Sequence, residues 1–138
     1  MQTPYEIASK SVIPAIRGMI SRGLIERHLT QAEIANALGI TQPAVSKYVW
    51  EKRGRAIDFD HREDVKKMAA LITDGIASHS LSHVQVANMI KELCDYVMRS
   101  GYMCDLHYEV DPQVKDLNCR ICMEESLERS QQIAASKE

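Results

Sequence analysis

The sequence predicts an all-α protein: a bundle of short N-terminal helices, then two longer helices, then an irregular cysteine-rich segment. Three observations carry that expectation. Helix-opening signals recur, in which a Thr precedes a Glu by three residues (Thr3 to Glu6, Thr30 to Glu33), the pattern of a reciprocal cap. Large apolar residues return every three or four positions, the period of one helix face. No stretch alternates apolar and polar residues as a half-buried strand does.

The elements follow in order. Thr3-Pro4-Tyr5-Glu6 opens the first helix, with Pro at the first helical position. Pro14 restarts or kinks it, and Ile16, Met19, Ile20 and Leu24 then define one face of a helix running to about His28. Thr30-Gln31-Ala32-Glu33 opens a short helix with Ile34, Ala35 and Leu38 on one face, ended by Gly39. Thr41 caps the next helix, which carries Pro43 in its first turn, buries Val45, Tyr48 and Val49, packs Trp50 and stops near Gly54. Residues 55–60 read as a linker. Asp60 caps a helix with Val65, Met68, Ala69, Ile72 and Ile76 inward. Ser80 or Ser82 starts another with Val86, Met89, Ile90, Leu93 and Val97, closing at Gly101. Periodicity then fails from Tyr102 to Cys122, and the polar tail from about Ser126 frays.

Composition narrows the function classes. The 45% apolar content can fill a core and is too high for a disordered chain. At 138 residues the chain makes one domain or two small ones sharing a core, divided as 1–56 and 57–138. No apolar run is long enough to span a bilayer and no charged-then-apolar leader stands at the N-terminus, so the expectation is a cytoplasmic protein without a membrane partner. With five Tyr, one Phe and one Trp, the chain is poor in the aromatics that stack single-stranded bases. Charge is uneven: residues 1–56 carry +4 and the remainder −6. A basic N-terminal half facing a polyanion fits that asymmetry.

The stretch "LGITQPAVSKY", residues 38–48, is the most informative. Ala35 is small, as a close helix crossing requires; Gly39 supplies the positive φ of a tight turn; Ile34, Leu38, Ile40 and Val45 wedge two short helices near a right angle. This is the helix-turn-helix pattern, and it explains why helix 42–53 begins with small or polar residues: its tip must enter a major groove. Gln42 can bond adenine bidentately, Ala44 can touch a thymine methyl, and Ser46 and Lys47 reach bases or phosphates. Thr41 and Pro43 complete the tip, whose open backbone N–H groups suit a phosphate, and Gln31 stands at the equivalent end of the preceding helix. Lys52, Arg53 and Arg55 follow and suit backbone phosphates.

"LTQAEIANALGITQPAVSKYVWEKRG" resembles the helix-turn-helix of Cro/repressor-type, or XRE-type, transcriptional regulators. With "TPYEIASKSVIPAIRGMI" before it, the resemblance extends over residues 1–56 to small archaeal XRE-type regulators. Those relatives also carry C-terminal cysteines, including a final Cys-x-x-Cys; some add a cysteine three residues after the first, where this chain has Val97.

Cys94, Cys104, Cys119 and Cys122 are the chain's four cysteines. From Cys104 they read Cys-x2-His-x11-Cys-x2-Cys, a spacing that can converge on one tetrahedral ion. The fourth ligand is His107, giving structural Zn²⁺, or Cys94, giving an all-thiolate site for Zn²⁺ or an iron–sulfur cluster. Cys94 can equally be a small apolar core residue. The resemblance and the uneven spacing favour an iron–sulfur or redox sensor.

The expected function is therefore a homodimeric, sequence-specific regulator that binds a double-stranded DNA operator through half-sites about one helical turn apart. The alternatives are the same regulator with a purely structural zinc, or an adaptor whose cysteine module binds another transcription protein. A thiol oxidoreductase built on Cys119-Arg120-Ile121-Cys122 needs a βαβ frame that the pattern lacks, so no enzyme is expected.

Overall fold

The computed structural model describes residues 1–50 and 57–123. Among them every regular element is helical: α1 (Pro4–Lys10), α2 (Val12–Glu26), α3 (Gln31–Leu38), α4 (Gln42–Trp50), α5 (Glu63–Ala77), α6 (His83–Arg99), α7 (Cys104–Val110) and α8 (Pro112–Asp116), with a 3₁₀ turn at Ile121–Met123. No helix among the described residues is long and apolar enough to cross a membrane.

Four caps act where the sequence marks them, at Thr3, Thr30, Thr41 and Ser82. The Thr3 hydroxyl accepts from the Glu6 N–H at 3.3 Å and Glu6 reaches back to the Thr3 N–H. Proline ends α1. With no N–H at Pro14, the bond back to the Lys10 carbonyl is lost, and the chain restarts at Val12 after Ser11 turns its hydroxyl onto the Ile7 carbonyl. Ser82, with Gln85, forms the reciprocal cap of α6.

Helix α2 is the axle of the fold, packing on α1, α3, α4, α5 and α6. Ile16, Ile20 and Leu24 of α2 are fully buried with Ile34, Val45, Val65, Leu93 and Val97 from four other helices. All of these join a single apolar cluster, so residues before 56 and after 57 share one core. Gly23 matters to that crossing. A Cβ there would lie 3.0 Å from the Thr73 methyl of α5, so its absence lets the two helices approach.

Four local expectations need correction. Asp60 does not cap α5: Arg62 occupies the cap position without a side-chain bond, while the Asp58 carboxylate accepts from the Asp60 N–H at 2.8 Å. The end of the expected linker is anchored, because Phe59 is only 3% exposed. Trp50 does not pack: it is 69% exposed. The segment after Tyr102 is not irregular. Met103 and His107, one turn apart, are buried and fold it into α7, while Pro112 starts α8; helices of seven and five residues are too short for a period to show in sequence. The expected polar tail from Ser126 lies outside the described residues.

The start of α5 is tied to the end of α6 by one carboxylate. Both the Tyr96 and Tyr102 hydroxyls donate to Asp64 Oδ2, the latter at 2.8 Å, and the Arg62 guanidinium lies 4.0 Å from the Tyr102 ring centroid. The Tyr96 hydroxyl, then that of Tyr102, holds the Asp64 carboxyl below its usual range. A carboxyl depressed by folding stabilises the fold above its unfolded pKa, and that contribution is lost as pH falls through the lower folded value. Acidification below pH ~4 should therefore lower the melting temperature more steeply in the wild type than in Asp64→Asn. Parallel thermal melts at pH 3 and pH 6 check this; equal slopes would contradict it.

Candidate nucleic-acid interface

Helices α3 and α4 and the turn between them carry most of the residues expected to meet DNA. Thr30 caps α3, accepting from the Glu33 N–H at 3.1 Å. Gly39 ends α3 at φ +64°, in the left-handed region. The Ile40 N–H then bonds the Ala35 carbonyl at 3.0 Å, closing the turn. A Cβ at Gly39 would meet nothing within 4 Å, so glycine is needed there for its backbone and not for space. Thr41 caps α4, accepting from the Ala44 N–H at 3.2 Å.

Burial separates the two faces of α4, and its first residues lie wholly outside. Val45 is fully buried and Tyr48 is 3% exposed. Thr41, Gln42, Pro43 and Lys47 are exposed, while Ala44 and Ser46 are half-buried. Gln31 is half-buried at the start of α3. Among the described residues nothing covers the tip, so Gln42 stands clear of the core. One expectation narrows: Pro43 has no N–H and Thr41 takes that of Ala44, which leaves the N–H groups of Thr41 and Gln42 as backbone donors there for a phosphate. Lys52, Arg53 and Arg55 lie outside the described residues.

The far end of α4 is held by a residue that the sequence did not single out. Arg22 of α2 donates from Nη1 to the Tyr48 carbonyl at 3.1 Å. Its guanidinium lies over Gly18, where a Cβ would come within 3.0 Å of Nη1. A signal was present in Gly18 and Arg22, one turn apart on a helix face. A basic side chain leans back toward the preceding turn, and glycine there gives it room.

The cysteines divide into one and three. Cys94 is 8% exposed in α6, its sulfur 3.9 Å from that of Met98. Burial, then the neighbouring Asp95 carboxylate, pushes its thiol up to about 11. Cys104, Cys119 and Cys122 influence one another. Burial, then the charges of Cys104 and Cys119, pushes the Cys122 thiol up to about 11, and burial followed by Cys119 raises that of Cys104. Raised thiols are protonated at neutral pH and weakly nucleophilic. His107 is buried, with Nε2 3.1 Å from the Gln2 carbonyl, so this ring ties α7 to the N-terminus. Among the described residues, no three His, Cys, Asp or Glu side chains meet closely enough to hold a metal ion. The three thiols offer suitable soft donors but not a formed ligand set. Comparison with protein-family models, curated proteins and solved structures finds no match to this chain.

Proposed function

We propose that the chain is a sequence-specific DNA-binding regulator of the XRE-type helix-turn-helix class, reading a major groove with α4. The observation that carries this is the polarity of α4. Its buried side is anchored by Val45 and Tyr48, while Thr41, Gln42, Pro43 and Lys47 face outward. A groove-entering helix needs that arrangement, with small and hydrogen-bonding groups at a narrow end. The +4 charge of residues 1–56 supports the reading, since phosphates supply a large share of binding energy. Selection of bound sequences from a random duplex pool tests it. Enrichment of a motif is expected; a pool that stays random rejects the reading.

Two further parts belong to the same proposal. The regulator acts as a homodimer, and Leu71 of α5 (64% exposed) and Val84 of α6 (79% exposed) offer apolar surface to a second copy. Light scattering should then give twice the chain mass at micromolar concentration. Cys104, Cys119 and Cys122 are the ligand set for a soft metal centre, zinc or iron–sulfur, that senses or stabilises. A cation there would replace mutual thiolate repulsion with attraction and would have to displace protons, so uptake should rise with pH. Metal analysis after anaerobic purification should find stoichiometric metal, lost in Cys119→Ser and kept in Cys94→Ala. A metal-free wild type rejects this part.

A further inference from the structure

We propose that Arg22, seated over Gly18, is the positioning residue that fixes the angle at which α4 presents Gln42 to DNA. The inference rests on the DNA-binding reading and goes beyond it, because neither residue is expected to touch a base.

Apolar contacts hold α4 at its distance from α2. Val45 and Tyr48 are buried in the shared core, but such contacts have little directionality. The bond from Arg22 Nη1 to the Tyr48 carbonyl is directional and charge-assisted. It acts about two turns from the tip, on a carbonyl of α4 that faces α2. Thr41 caps the tip itself. Of these two bonds, the one from Arg22 crosses to another helix and the one to Thr41 is local to α4.

Leverage makes the far end matter. Tyr48 and Gln42 are six residues apart, about 9 Å along a helix axis. A tilt of about 10° at Tyr48 moves the tip by roughly 1.5 Å over that length. A bidentate contact from a side-chain amide to adenine fails under such a shift, because its two bonds tolerate only a few tenths of an ångström around their usual lengths. Gly18 completes the device. The guanidinium lies against its Cα, and a methyl there would stand 3.0 Å from Nη1, so that atom would have to give by a few tenths of an ångström. Because that atom is the end of a flexible side chain, Gly18→Ala should displace the guanidinium without disturbing the core. Arg22 also borders a cavity of about 210 Å³ between α2 and residues 57–60, which gives the displaced group somewhere to go.

The test uses the full chain and the duplex that it selects, beside a scrambled duplex of equal length, over a salt series. Arg22→Met should weaken binding to the selected duplex about tenfold, as expected for one lost base contact, and Gly18→Ala should weaken it in the same direction by less; both should leave scrambled-duplex affinity and salt slope unchanged. Arg22→Lys, which keeps a donor, should recover most of the loss. Thermal melts establish that each variant is folded; should Arg22→Met fail to fold, Gly18→Ala carries the comparison. Two results overturn the inference alone: variants that match the wild type on both duplexes, or a loss on both duplexes with a shallower salt slope, which would make Arg22 a phosphate contact. A wild type that selects no sequence overturns the DNA-binding reading and this inference together.

Discussion

Leu24→Ala should destabilise the whole described fold by about 2–5 kcal/mol, the range for emptying a buried leucine site. Leu24 is fully buried near the C-terminal end of α2, the helix on which five others pack. Beside it, Gly23 admits Thr73 of α5 to close contact, so little slack exists for the walls to collapse into the void. Typical domains are stable by only about 5–15 kcal/mol, so the loss is a large fraction of the total. The form of the transition is equally informative. Because one apolar cluster runs through residues on both sides of the 51–56 segment, urea unfolding followed by near-ultraviolet circular dichroism of the tyrosines, Tyr48 being buried, and by helical circular dichroism should give coincident curves, both shifted in Leu24→Ala. Separate transitions by the two probes would mean that the halves fold independently and that the α2–α5 contact is incidental.

Gln42→Ala should weaken binding to the selected duplex by about 1–3 kcal/mol, with discrimination relaxed at one base pair. The side chain is exposed at the tip of α4, so its loss creates no cavity and the melting temperature should hold. Lys47→Ala, at a neighbouring exposed position, should instead lower affinity for all duplexes alike and reduce the salt slope by about one. Fluorescence anisotropy with matched and single-substituted duplexes separates the two patterns. Unchanged affinity in Gln42→Ala would remove the tip of α4 from the interface.

Much of the helical framework was legible because its causes are local. The pair Thr30 and Glu33, glycine at 39 and proline at 14 act within a turn of themselves, and the caps and breaks fall there. The apolar faces of α2, α5 and α6 were equally readable, since helices of fifteen or more residues repeat their period several times. The same reasoning failed after Tyr102, where two short helices offer too few turns, and at Trp50, where an aromatic residue suggested burial but the side chain stands in solvent.

What the sequence determined by itself was the order of α1 to α6, most of their caps and the polar character of the α4 tip, because each depends on neighbours within about four residues. Tertiary structure decided the rest: that Asp64 gathers two tyrosines from 32 and 38 residues away, that His107 reaches Gln2, that Cys94 stands apart from the other three thiols, and that Arg22 braces Tyr48. Those pairings depend on how helices cross. Crossing is set by the summed fit of many non-directional apolar contacts, which no short window of sequence contains.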